Sequence, residues 1–294
     1  MIKRLIASIV VFVSLVQGVN AFPTLVLDAP DKNFTQINHT IALAFVAHGN
    51  IYSAAKEFYT ILRYNPEDVY ANYYLAIIYE GLGNKRLAER FYKKAIAMSP
   101  DDGKIYYSYA VFLLNQKRLK QAAPLAIQAT KLSPFEYDIF YDTGVILVEN
   151  DRLEEALPYF KKSLKFNPEF SSAYNNYCFS LATLGQYEEA LPYCEKAVVM
   201  DKEENAQSLD SLAFVYAGLK QYEKAKDYYE KAVFIDPNIG EIYFHYAQTL
   251  QAMGKYDEAA AHFKKAGQLD KNFKADTRKL IKECRRLKNK NAAG

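Results

Sequence analysis

The sequence predicts an all-α fold: a right-handed α-solenoid of antiparallel helix pairs, closed by a C-terminal capping helix. Three observations carry this. Pro66, Pro100, Pro134 and Pro168 recur every 34 residues, and the beat continues through Asp201-Lys202, Asp236-Pro237 and Asp270-Lys271. A fixed period of this length marks one supersecondary unit stacked many times. Two positions within the period are always small or nearly so. A third, just before the proline, is always Asn, Ser or Asp, the side chains that build turns and cap helices.

With the proline counted as position 32, seven repeats span 35–68, 69–102, 103–136, 137–170, 171–204, 206–239 and 240–272, with Asn205 as one extra residue. Position 8 is Ala42, Ala76, Ala110, Gly144, Cys178, Ala213 and Ala247, and position 20 is alanine throughout. Small residues on either side of a turn let two antiparallel helices approach closely. Position 24 fills the space between them with Phe58, Tyr92, Phe160, Tyr229 and Phe263. Gly49, Gly83, Gly185 and Gly254 share position 15, the turn between the two helices. Asn65, Ser99, Ser133, Asn167, Asp201, Asp236 and Asp270 occupy position 31 and are expected to cap the next helix. Pro124, Pro158 and Pro192, at position 22, are expected in the first turn of the second helix, where a backbone N–H has no partner.

This pattern resembles the tetratricopeptide repeat from Thr35 to about Asn272. It departs from that family in lacking Trp altogether; position 4 carries Asn38, Asn72, Tyr106, Phe140, Tyr174, Leu209 and Tyr243 instead. The resemblance implies that first helices line a concave groove where positions 2, 5, 9 and 12 tend to face a ligand.

The chain opens differently. Lys3 and Arg4 precede an uncharged, mainly apolar stretch from Leu5 to Val16, and Val19-Asn20-Ala21 offers small residues for cleavage. Residues 1–21 read as a secretory signal peptide, with an uncleaved membrane anchor as the alternative. The expectation is a periplasmic or secreted protein. Residues 22–34 read as an extended leader.

The formal charge of +3 falls to +1 without the signal segment, so global charge does not argue for nucleic acid. Charge is split along the chain. Residues 271–290 carry nine Lys or Arg against Asp276 and Glu283. Phe273, Leu280, Ile281, Cys284 and Leu287 recur there at helical spacing, predicting a basic capping helix over 273–290 with its apolar face on repeat seven. Its solvated face could also contact anionic lipid or an acidic partner.

Catalytic chemistry finds no foothold. His39, His48, His245 and His262 fit no metal spacing, and no nucleophile elbow, phosphate loop or dinucleotide fingerprint occurs. No enzyme, cofactor or metal is expected. Cys178 and Cys194 occupy positions 8 and 24 of one repeat, at about equal distances from the turn at Gly185. They read either as two small buried hydrophobes or, in an oxidising compartment, as a disulfide.

Function must then come from the groove. Position 5 reads His39, Tyr73, Tyr107, Tyr141, Asn175, Asp210, Phe244; position 9 reads Leu43, Ile77, Val111, Val145, Phe179, Phe214, Gln248. The candidate partner-binding set is Tyr73, Ile77, Tyr107, Val111, Tyr141, Val145, Asn175, Phe179 and Phe214, a tyrosine ladder beside an apolar strip. The basic residues with which cytosolic chaperone adaptors of this family clamp a carboxylate are missing. The expectation is a non-catalytic scaffold binding an extended apolar or aromatic segment of a partner protein, with an affinity that changes little with salt. Assembly of an envelope complex is the context that the resemblance suggests. The competing readings are a structural subunit whose repeats pack permanently into a larger complex, and an accessory subunit that positions substrate for a separate enzyme.

Overall fold

The computed structural model describes residues 32–292, all-helical and without strands among those residues. The signal segment and leader residues 22–31 lie outside them. The chain folds as two compact units, one ending at Ser133 and the other starting at Pro134.

In the first unit, α1 (Lys32–Ala47), α3 (Val69–Gly81) and α5 (Gly103–Asn115) are the first helices of their repeats, and α2 (Ile51–Tyr64), α4 (Lys85–Met98) and α6 (Leu119–Leu132) the second. In the second unit the first helices are α7 (Tyr137–Glu149), α9 (Ser171–Thr183), α11 (Ala206–Gly218) and α13 (Gly240–Ala252). Their partners are α8 (Leu153–Phe166), α10 (Tyr187–Met200), α12 (Tyr222–Ile235) and α14 (Tyr256–Leu269). A 3-10 turn, Lys271–Phe273, leads into α15 (Lys274–Ala292). Each helix packs against its hairpin partner within its own unit.

Helix breaks follow from local chemistry. At position 15 the backbone of Gly49, Gly83, Gly185 and Gly254 has φ between +73° and +78°. The N–H of Gly83 bonds Glu80 and that of Asn84 bonds Tyr79, which satisfies the last carbonyls of α3. The second helices α2 and α4 start on Asn50 and Asn84, whose side chains accept from Ser53 and Leu87 N–H. Asp68, Asp102 and Asn205 do the same for α3, α5 and α11. The N-capping role falls to these residues, and of position 31 only Asp270 shares it, accepting from Asn272 N–H at the start of the 3-10 turn that follows repeat seven. Asn65, Ser99, Ser133, Asn167, Asp201, Asp236 and Asp270 end the second helices as C-caps.

Packing explains the small positions. All seven position-20 alanines are fully buried. A Cβ on Gly144 would meet the Phe160 ring at 2.6 Å, so position 8 is kept small by the aromatic at position 24. Between α4 and α6, Arg118 donates to both Glu89 carboxylate oxygens, at 2.6 and 3.0 Å. Arg118 above all, with Lys93 and Tyr109, holds the Glu89 carboxyl down at about 2 against the opposing effect of burial.

Three other expectations need correction. Helix α1 starts at Lys32, so the leader is not extended through residue 34. Pro124, Pro158 and Pro192 are each the sixth residue of their helix, beyond the first turn. All three are exposed, as are Lys120, Glu154 and Glu188 four residues earlier, so each helix loses that intrahelical bond on its solvent side. The regular α-helix of the cap begins at Lys274, one residue late, because Phe273 belongs to the 3-10 turn and stacks on Phe244 at 4.7 Å. Thr277 and Cys284 are buried on the inner face of α15. All nine Lys and Arg of residues 271–290 are exposed.

Candidate functional site

First helices are the part of each repeat with side chains left over after hairpin packing. The second helices spend their inner faces on the alanine and aromatic positions just described. Position 5 and position 9 of the first helices are half-buried at Tyr73, Ile77, Tyr107 and Val111 in the first unit, and at Tyr141, Val145, Asn175, Phe179 and Phe214 in the second.

The tyrosine ladder is engaged within the fold. Tyr73 Oη lies 2.9 Å from Ser108 Oγ, and Asn176 Nδ2 donates to Tyr141 Oη at 3.0 Å. Both contacts join position 5 of one repeat to position 6 of the next, an offset of 35 residues. Burial pushes both phenols above their ordinary range. The hydroxyls of Tyr73 and Tyr141 thus join successive repeats, while their rings remain half-buried at position 5.

In repeats six and seven the same rung is ionic. His245 Nδ1–H donates to Asp210 Oδ2 at 3.0 Å and Oδ1 at 3.2 Å, with side chains 11% and 8% exposed. Burial alone would lower the His245 pKa, but the Asp210 carboxylate outweighs it by charge and hydrogen bond, and the net shift is upward. Phe214 lies 5.0 Å from the imidazole and 5.9 Å from Phe179, ring centre to ring centre.

Beside this cluster a cavity of about 250 Å³ opens among α7, α9, α11 and α13. Val145, Val148, Phe179 and Ile239 supply apolar wall, Asn175 and Gln207 amides, and Glu149, Asp210 and Glu241 carboxylates. The Glu241 pKa is raised by partial desolvation at the rim and by the Asp210 and Asp270 charges, with His245 opposing. Of the expected set, the pocket brings together Val145, Asn175 and Phe179, with Phe214 packed on its edge. Tyr141 stands apart from the pocket wall, and Tyr73, Ile77, Tyr107 and Val111 belong to the other unit. His245, Gln207 and Glu241 were missed by reading positions 5 and 9 alone. Gln207 and Glu241 stand at position 2, and the Asp210/His245 charge pair at an offset of 35 was a visible signal.

In the hairpin of α9 and α10, Cys178 and Cys194 are fully buried, their Cα atoms 5.4 Å apart and their sulfurs in bonding contact. Among the described residues no group of three acid, His or Cys side chains is disposed to hold a metal, and no helix is long and apolar enough to cross a membrane.

No curated protein matches the chain significantly. Solved structures do. YrrB, a repeat protein with an unusual peptide-binding site, is 24% identical over 62% of this chain and 94% of its own, with a TM-score of 0.57. A tetratricopeptide repeat protein from Parabacteroides merdae is 18% identical over 86% and 99%, TM-score 0.61. PilW, a type IV pilus biogenesis factor, is 20% identical over 76% and 99%, TM-score 0.56. Models of the tetratricopeptide repeat match residues 39–103, 91–123, 113–171, 169–238 and 216–282. With repeats, hairpin packing and sequence models in agreement, the chain belongs to the tetratricopeptide repeat family.

Proposed function

We propose that this protein is a non-catalytic scaffold that receives an extended segment of a partner protein in the groove formed by α7, α9, α11 and α13. The observation that carries the reading is the cavity where the half-buried edges of Val145 and Phe179 meet polar groups on four successive first helices. Concave sites with apolar walls and a few convergent polar groups are where proteins hold ligands. YrrB is described as having a peptide-binding site, which agrees with this use of the fold.

The protein acts outside the cytoplasm in this reading, directed there by residues 1–21, in the assembly of an envelope complex. PilW, with the same fold, is a pilus biogenesis factor. The exposed basic face of α15 supplies a second contact, with an anionic membrane surface.

Phe179 and Phe214 are the flat, rigid anchors of the groove. Changing both to Ala should weaken partner binding by about 1–3 kcal/mol, the range of interface anchors. Calorimetry with a peptide selected on the intact protein measures this, with folding checked by circular dichroism. A folded double variant with unchanged affinity would place the binding surface elsewhere.

A further inference from the structure

We propose that the groove between α2 and α4, second helices of the first unit, binds an extended acidic segment of a partner protein with an aromatic or aliphatic residue between its carboxylates. This surface shares no residue with the groove of α7, α9, α11 and α13 and does not rest on that reading.

Two stripes of the same spacing line a cavity of about 340 Å³. Tyr59, Leu62, Arg63 and Pro66 come from α2 and the turn after it, and Leu87, Arg90, Phe91 and Lys94 from α4. Steps of three and four residues put each helical set on one face. Phe91 forms the floor. It is 6% exposed, stacked on Tyr79 at 5.7 Å and met edge-on by Tyr59 at 6.1 Å. Tyr59 Oη lies 2.8 Å from Tyr79 Oη, so the aromatic wall is held in place by its own neighbours.

Charge selects the occupant. Arg63, Arg90 and Lys94 line the groove, and no Asp or Glu does. Among the described residues none of these three cations is in an ion pair. Lys94 Nζ stands over the Phe91 ring at 6.0 Å. Burial above all pushes the Tyr59 pKa up to about 12, with the Tyr79 bond adding and the Arg90 charge opposing. The phenol is therefore neutral, and Arg90 acts on the groove. Glu89, one residue before Arg90, lines an adjoining cavity with Lys85, Arg86 and Lys93, and its carboxylate is already held by Arg118 and Lys93. Glu57 and Glu67 line neither cavity. Position 22 is proline in repeats three to five, and position 25 is Glu195 and Glu230 in repeats five and six, so the pairing of Tyr59 with Arg90 is peculiar to this groove. Guanidinium and ammonium groups bring donors and no acceptor, the complement of carboxylates. An aromatic residue between two such carboxylates settles on Phe91 and Tyr59 while its neighbours reach the rim. A bilayer is the poorer partner, because its binding needs apolar groups that protrude and these lie at the floor.

The test pans random displayed peptides against the full chain and against Arg63→Gln/Arg90→Gln/Lys94→Gln, with folding checked by circular dichroism. The expected result is enrichment, on the full chain alone, of peptides with Asp or Glu on both sides of an aromatic or aliphatic residue. A synthetic peptide of that consensus should bind the triple variant about 10-fold more weakly, the sum of three exposed ion pairs, and should lose affinity with added salt. It should keep its affinity for Phe179→Ala/Phe214→Ala, and for Lys279→Gln/Lys282→Gln/Arg286→Gln, which takes the same charge from α15. Equal weakening by the α15 variant would make the effect one of net charge and overturn the site. Acidic peptides indifferent to the triple variant, or no acidic peptide at all, overturn it too and leave the groove of the second unit standing. Vesicles of phosphatidylserine and phosphatidylcholine, and light scattering of the chain alone, test the other occupants. Vesicle binding or self-association that only the triple variant abolishes, without acidic peptides, would give the groove to a lipid surface or a second copy and overturn the peptide reading.

Discussion

At position 15 every repeat turns through the left-handed region, and only four of seven residues there are glycine. Lys117, Asp151 and Lys220 hold φ near +60° with a side chain attached. Nothing lies within 4 Å of a Cβ at Gly49, Gly83, Gly185 or Gly254, so backbone conformation and not space makes glycine favourable. A left-handed residue with a Cβ costs about 1–2 kcal/mol, partly offset by the greater chain entropy of glycine when unfolded. Lys220→Gly should therefore raise the denaturant midpoint, by up to about 1 kcal/mol in stability, with an unchanged slope. Four of these turns were legible from glycine alone. The other three were not, because tertiary packing imposes a conformation that their residues do not signal.

The His245–Asp210 rung has a pH signature. The folded pKa of His245 is raised above the ordinary 6.5, so its contribution is complete below that value and is lost as pH rises through the folded pKa. The stability gap between the parent and His245→Gln should be larger at about pH 5.5 than at about pH 9. Urea unfolding at the two values measures it. A gap that grows toward alkaline pH would contradict the assigned ion pair.

At the scale of elements, the helix hairpin was the most legible feature, since each repeat restates it. First helices begin at Val69, Gly103, Tyr137, Ser171, Ala206 and Gly240, where the proline register places them. The helix-internal prolines were misplaced because a 34-residue alignment fixes spacing but not the turn at which a helix begins. The hairpin of α9 and α10 differs from the others in placing sulfur at both packing positions. In an oxidising compartment Cys178 and Cys194 are expected to form a disulfide, worth about 3 kcal/mol for a loop of this size. Thiol titration of denatured, unreduced protein should then find only Cys284. Three reactive thiols would leave the pair as ordinary buried hydrophobes.

At the scale of the molecule, each unit repeats one packing solution, and the differences between repeats carry the function. The basic charge is gathered on the 3-10 turn and α15, where all nine Lys and Arg of residues 271–290 face solvent. The second unit has a cavity bounded by carboxylates. The apolar part of that site was visible in the sequence at Val145, Phe179 and Phe214, because positions 5 and 9 lie one helical turn apart on the same face. Its polar part was not, since Gln207, Glu241 and His245 converge only when successive first helices are stacked. Hydrogen exchange on the full chain, with and without a selected peptide, tests the partner-binding groove most directly. The account predicts slowed exchange in α9, α11 and α13 and unchanged exchange in their partners α10, α12 and α14. Slowing confined to the second helices or to α15 would contradict it.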